Sequence, residues 1–224
     1  MSARLIIAID GFSACGKSTL AKDLASKLDI LYLDSGALYR AICLFCIEHQ
    51  IHPEDVQSVI NSLEKINLHV ELQSNLKVFV NNEDVSESIR KSEVNRWVSE
   101  ISVIPEVRNK VNLILRQFGK DHSLVMDGRD IGTVVFPLAN YKFFVTADLY
   151  VRALRRQLEI KEKGRHIELK DVLENLQHRD EIDSNRLDSP LKQAEDSILL
   201  DNSKLSREQQ LEFVLDRINS TPRY

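Results

Sequence analysis

Short apolar runs of strand length punctuate the chain at residues 5–9, 31–33, 123–126, 142–146 and 197–200, and the stretches between them repeat apolar residues with helical spacing. Alternation of this kind predicts an α/β protein with three layers, a central parallel sheet carrying helices on both faces. One stretch departs from it. Leu68, Val70 and Leu72, then Leu76, Val78 and Val80, alternate at period two across Ser74 and Asn75 and before Asn81 and Asn82, which predicts a small antiparallel hairpin inserted into the α/β core. Two helices are expected next, over 86–101 and 105–118, the second opened by Pro105 in its first turn and closed by Gly119. No internal repeat or Pro/Gly-rich linker appears, and residues 219–224 come nearest to a disordered segment.

The organisation expected is one domain, with a core of residues 1–62 and 120–218, an insert at about 63–119 and a helical lid at about 149–187. A chain of 224 residues, 43% of them hydrophobic, is large enough for such a core and insert. Thirty basic against thirty-four acidic residues leave a net charge of −4, which excludes the broad positive field of a nucleic-acid polymer or membrane binder. Phosphate chemistry, if present, must come from local arginines. The chain has neither a run of about eighteen apolar residues nor an N-terminal signal pattern, so a cytoplasmic protein is expected. Cys15, Cys43 and Cys46 fit reduced thiols. Cys43 and Cys46 form a CxxC, but inside an apolar helical stretch with no second ligand pair, which points to core packing. The six histidines show no ligand spacing.

Chemistry enters directly after the first apolar run. Gly11-Phe12-Ser13-Ala14-Cys15-Gly16-Lys17-Ser18 matches the P-loop pattern and stands between a strand and a helical stretch beginning at Thr19. Gly11 and Gly16 let consecutive N–H groups converge on a polyphosphate at a helix N-terminus. Lys17 adds a point charge, and the Ser18 hydroxyl can ligate Mg²⁺. An ordinary turn would leave Lys17 unexplained, since a cation at a helix start opposes the macrodipole unless an anion arrives.

A P-loop does not say what is phosphorylated. After the second strand, Asp34-Ser35-Gly36-Ala37-Leu38-Tyr39-Arg40 puts hydroxyls and an arginine at the sheet edge, suited to a second phosphate, although Arg40 also fits a solvated helix face. The third strand ends in Asp127-Gly128-Arg129-Asp130, where Asp127 occupies the place of the acid that supports Mg²⁺ through water. Arg152, Arg155 and Arg156 recur at i, i+3 and i+4 on one helix face with few acidic neighbours, as an arginine-bearing lid over ATP would require. Arg179, Asp183 and Arg186 share a face if the helix starting near Leu169 persists that far, and an intrahelical Asp–Arg ladder explains them equally well.

Taken together, these residues resemble the bacterial-type cytidylate kinases, P-loop nucleoside monophosphate kinases. The likeness runs over about residues 4–216. It includes 10–19, 33–40, Glu83-Asp84-Val85-Ser86, Ile89-Arg90 and Val107-Arg108. It continues through 127–137, the most specific stretch, and Arg179-Asp180 with Asp183, Arg186 and Pro190-Leu191. The resemblance implies transfer of the γ-phosphoryl group of ATP to CMP or dCMP with Mg²⁺. A monomer is expected, with no large exposed apolar seam in the pattern. Gly11, Phe12, Ser13, Ala14, Cys15, Gly16, Lys17, Ser18 and Thr19 would bind ATP. Lys17, Arg129, Arg152, Arg155 and Arg156 would act on the transferring group. Ser35, Arg40 and Arg129 would hold the acceptor phosphate, Ser99, Arg108, Asp130 and Arg186 would read cytosine, Arg179 and Asp183 would hold the sugar, and Tyr39 is a further CMP-binding residue. Asp130 can accept from the cytosine 4-amino group, whereas uracil would oppose O4 to a carboxylate. The family loop usually carries proline and glycine where this chain has Phe12 and Ala14, and a small residue at Cys15. Ala14 is strained if its position needs a positive φ.

Two other readings remain at this level. One keeps a P-loop kinase but changes the acceptor to UMP, AMP or a small metabolite such as shikimate; the size of the insert argues against the small metabolite alone. The other is a slowly hydrolysing nucleotide switch, against which stand the absence of an N-K-x-D motif and of a tandem acidic Walker-B glutamate.

Overall fold

In a computed structural model of the protein, which describes residues 4–72, 76–162 and 164–220, the sequence pattern resolves into one five-stranded sheet and one three-stranded sheet. The larger sheet contains β1 (Ile6–Gly11), β2 (Leu31–Asp34), β6 (Leu124–Gly128), β7 (Tyr141–Thr146) and β8 (Ile198–Asp201), in the order β2-β6-β1-β7-β8. β1 runs parallel to both β6 and β7, and β7 parallel to β8. The central strand is covered on both faces, with Ile7, Ala8 and Ile9 fully buried, which is why it reads as a continuous apolar run. Asp10 stands opposite Gly128 on one side and Phe144 on the other, so the loops after β1 and β6 leave from one edge of the sheet.

The chain divides into two compact units. The first comprises residues 1–32, 122–185 and 189–224. Its core joins the sheet to α1 (Lys17–Leu28) and α8 (Arg207–Ser220) through Ile7, Ile9, Leu20, Leu24, Phe143, Val145, Val214 and Ile218. A separate small cluster of Ala153, Val172 and Leu176 packs α6 (Leu149–Glu162) on α7 (Leu169–Asn185), the helices of the expected lid.

The second unit comprises residues 33–121 and 186–188 and takes in the whole span 63–119 expected as an insert. Here α2 (Ser35–Glu48) packs against α4 (Ser92–Ser102), α5 (Pro105–Asp121) and the second strand of the small sheet. α3 (Val56–Leu63) lies against α2 and α5. The hairpin is β3 (Leu68–Leu72) with β4 (Leu76–Val80), antiparallel in the expected register, and its turn at Ser74 and Asn75 lies outside the described residues, as do 221–224. A short third strand, β5 (Glu83–Asp84), adds to β4.

Three boundaries differ from expectation. The helix expected over 86–101 is a 3₁₀ turn, Ser88–Arg90, followed by α4, because Lys91 is extended (φ −61°, ψ 153°). The Asn95 side-chain amide donates to the Arg90 and Lys91 carbonyls and stabilises that break. Helix α5 does not stop at Gly119 but continues to Asp121, with Gly119 buried. Helix α7 ends at Asn185, so Arg186 does not extend the Arg179–Asp183 face.

Candidate active site

β1 ends at Gly11 and α1 begins at Lys17, so residues 12–16 form the loop between them. Gly11 has φ 147°, and a Cβ there would lie 1.9 Å from the Val145 carbonyl oxygen, so only glycine passes this close to β7. Ala14 has φ 57°, the left-handed conformation in which a non-glycine residue is strained by about 1 kcal/mol. Gly16 caps α1 without a side-chain bond, and the first turn of α1 contains no acid, which leaves its N–H groups to an external anion. Lys17 is buried, with Nζ donating to the Phe12 carbonyl at 2.5 Å and 3.5 Å from Cys15 Sγ. Burial pushes its ammonium below the ordinary lysine range, and Arg129 adds to that effect, so an anion arriving there would offset a charge that its surroundings disfavour.

Ser13 is the point where three elements meet this loop. Arg129 Nη2 donates to Ser13 Oγ at 2.7 Å, Arg152 Nη1 donates to the Ser13 carbonyl at 3.1 Å, and the Ser13 N–H donates to Asp180 at 3.3 Å. Each arginine carries its own counter-ion: Arg129 Nε lies 2.6 Å from Asp183, and Arg152 Nη1 lies 2.6 Å from Asp180. Burial opposes the charge on Arg129, but the Asp183 carboxylate outweighs it and raises the guanidinium pKa above its ordinary value.

Ser18 Oγ donates to Asp127 at 2.8 Å, and the Tyr32 hydroxyl donates to the other Asp127 oxygen at 2.8 Å. A hydroxyl and a carboxylate side by side at the helix start are hard oxygen ligands of the kind Mg²⁺ takes together with phosphate and water, so these residues fit the ion. Among the described residues no cluster of three or more His, Cys, Asp or Glu side chains forms an all-protein metal cage, and Mg²⁺ bound through phosphates does not need one.

The three arginines of α6 have different partners. Arg152 is buried against Ala147, Ser13 and Asp180; Arg155 makes a two-pronged contact with the Oδ1 and carbonyl oxygen of Asn202, at 2.9 Å each; Arg156 pairs with its neighbour Glu159 at 3.0 Å. Their partners are remote in sequence or turn to a neighbouring acid, which the scarcity of acids around residues 149–154 concealed. Asp180 and Asn202 are the site residues the sequence pattern missed. Asn202 is fully buried, with Nδ2 donating to the Cys15 carbonyl at 2.7 Å and to Gln210 at 2.8 Å. An asparagine after a final strand carries no local signal of that role, whereas Asp180 stood beside Arg179 in a run already singled out. Arg179 and Asp183 both lie on α7, and Asp130 is buried after β6. Thr19 is exposed in the first turn of α1.

Within the second unit, Ser35 opens α2 and is buried. Arg40 Nη2 is drawn to Asp34 at 2.5 Å instead of solvating a helix face. Arg108 is almost fully buried, its guanidinium 5.5 Å from the Tyr39 ring centroid, its Nη1 donating to the Ser102 carbonyl at 3.0 Å and its Nε 3.8 Å from Asp188. Ser99 and Arg186 are buried as well. Cys43 and Cys46 are buried with their thiols pushed up by burial, the behaviour of packing cysteines.

The cytidylate kinase family model matches residues 7–220. The chain belongs to the cytidylate kinase family. As a member it is a nucleoside monophosphate kinase, a phosphotransferase that acts on cytidylate. It is 44% identical to the cytidylate kinase of Flavobacterium johnsoniae over 96% of each chain, and 43% identical to that of Flavobacterium psychrophilum over 97% of this chain and 99% of the relative. In fold it is similar to the crystal structure of an uncharacterized protein from Eubacterium ventriosum, with a TM-score of 0.55 at 13% identity, covering 97% of this chain and 99% of that one. No helix among the described residues is long and apolar enough to cross a membrane.

Proposed function

We propose that the enzyme transfers the γ-phosphoryl group of ATP to the 5′-phosphate of CMP or dCMP, giving ADP and CDP or dCDP, in a cytoplasmic setting that the three free cysteines support. The observation that carries the reading is the convergence of Arg129 and Arg152 on Ser13 of the loop that also holds Lys17. Phosphoryl transfer needs little covalent help from the protein and is accelerated chiefly by positioning and by cations around the transferring group.

In this reading the amides of residues 11–19 cradle the donor phosphates, and Lys17, Arg129 and Arg152 face the group in flight. Arg155, anchored on Asn202, orients α6, and Arg156 takes a peripheral part. Ser18 would hold Mg²⁺ directly and Asp127 would hold it through water, and the ion would supply neutralisation of phosphate charge. Ser35, Tyr39 and Arg40 bind the acceptor phosphate together with Arg129, Arg179 and Asp183 bind the sugar, and Ser99, Arg108, Asp130 and Arg186 read the base. The Asp130 carboxylate accepts from the cytosine 4-amino group, and Arg108 and Arg186 donate to O2 and N3. Uracil offers O4 to that carboxylate, a repulsive contact in a buried setting that lowers its use by about a hundredfold.

The test is ADP release with Mg·ATP and CMP, dCMP, UMP, AMP or no acceptor, run side by side. Release with CMP and dCMP far above UMP and AMP is expected, and Asp130→Asn should narrow the gap between CMP and UMP. Equal release in every well, including the blank, overturns the acceptor assignment.

A further inference from the structure

One buried carboxylate at the sheet edge has no part in the chemistry above. Asp10 is the penultimate residue of the central strand and is 5% exposed. Its two oxygens are divided between two consecutive backbone amides: Ile131 N–H donates to Oδ1 at 2.7 Å and Gly132 N–H donates to Oδ2 at 2.7 Å. Both are short for N–H···O bonds, as charge-assisted bonds are. These amides open a single π-helical turn, Ile131–Val135, and the residue immediately before it is Asp130. Asp130 has φ −144° and ψ 27°, outside the helical and extended regions, and its carbonyl accepts from Val134 and Val135. The backbone on its C-terminal side is therefore held by the turn's own bonds and by Asp10.

The contact depends on the glycine. A Cβ at Gly132 would lie 3.3 Å from Asp10 Oδ2 and 3.2 Å from Lys142 Cδ, tighter than ordinary contact. A buried carboxylate whose charge Asp130 opposes and Lys17 favours is a costly way to bind two amides. Simple capping is achieved elsewhere in this chain by an exposed residue, as Asp55 does for Ser58. Asp10 also directly precedes Gly11, so one strand both delivers the donor loop and grips the turn that carries Asp130.

We propose that Asp10 is a positioning residue for acceptor choice: by clamping the Ile131 and Gly132 amides it sets the Asp130 carboxylate where it discriminates the amino group of cytosine from the oxygen of uracil. This rests on the assignment of Asp130 as a base reader. A side chain that merely supports the sheet would, when changed, weaken donor and acceptor use together. A positioning residue acting through Asp130 alters the acceptor terms alone.

The experiment compares wild type, Asp10→Asn and Asp130→Asn in steady-state assays with ATP, CMP and UMP. Asparagine offers one acceptor where Asp10 offers two, and its amide opposes the second N–H. Asp10→Asn should lower the CMP-to-UMP ratio of kcat/KM about tenfold or more, towards the Asp130→Asn value, while KM for ATP stays within about twofold. A folded Asp10→Asn enzyme with the wild-type ratio, or with KM for ATP and CMP raised equally, overturns the proposal. Should Asp10→Asn not fold, Gly132→Ala reads the same link by pressing on Oδ2. The same acceptor-specific loss is expected, and an unchanged ratio counts against Asp10. A wild-type enzyme that does not favour CMP over UMP contradicts the base-reading assignment itself, whatever the variants do.

Discussion

Arg129 donates through Nε to the Asp183 carboxylate at 2.6 Å, with the two side chains only 21% and 6% exposed. The same guanidinium reaches Ser13 Oγ, so this ion pair ties helix α7 to the phosphate loop. Removing one partner of such a pair leaves a charge in a poor solvent, which is worse than never having had the pair. Asp183→Ala should destabilise the fold by about 3 kcal/mol and lower the rate with CMP, because Arg129 loses the contact that aims it. Urea unfolding checks this; a wild-type midpoint would show that the pair is replaced by solvent at no loss.

Lys17 presents the opposite balance. Its ammonium is buried and its pKa is pushed down, chiefly by burial, so the charge is kept at some expense in stability. Lys17→Met should reduce turnover by about two to three orders of magnitude while the thermal midpoint holds or rises. Near-native turnover in this variant would remove the loop from the chemistry.

Ala14 and Gly11 separate two kinds of unusual backbone in the same loop. At φ 57° Ala14 is strained but accommodated, and Ala14→Gly should gain about 0.5 kcal/mol once the greater freedom of glycine in the unfolded chain is subtracted, a rise of about 1–2 °C in thermal midpoint. Gly11→Ala has no such latitude, because its Cβ would meet the Val145 carbonyl. It should fail to give active folded enzyme. Calorimetry of the two variants side by side distinguishes strain from exclusion, and a stable, active Gly11→Ala enzyme would contradict the steric argument.

Asp10 gives the pH dependence a sign. Burial raises its carboxyl pKa from 3.8 to about 6, against the lowering effect of the Gly132 and Ile131 amides. Between those values the folded chain holds a proton that the unfolded chain has released. The contribution of this group to stability is therefore present below about pH 4 and is lost as pH rises through about 6. The stability of wild type minus that of Asp10→Asn, measured by urea unfolding from pH 4 to 7, should fall by up to a few kcal/mol. A difference that grows with pH would mean that the two amide bonds outweigh burial.

Much of this molecule follows from neighbours along the chain. The five parallel-sheet strands appear within a residue or two of the apolar runs, and the loop from Gly11 to Lys17 is readable because strand burial, glycine geometry and helix initiation each act over a few residues. The strain at Ala14 was legible for the same reason. The extended backbone at Lys91 and the continuation of α5 past Gly119 were not, since side-chain bonding and packing override local propensity there. The partners of the charged groups were equally hidden. Asp10 meets Gly132 across 122 residues, Asn202 meets Cys15 across 187, and Arg152 finds Asp180 rather than an acid on its own helix. Residue type and spacing determined which chemistry the chain can perform. Which carboxylate answers which guanidinium or amide was decided only when parallel pairing brought the ends of β1 and β6 to one edge, because a buried charge takes the counter-group the fold sets within reach, not the one nearest in sequence.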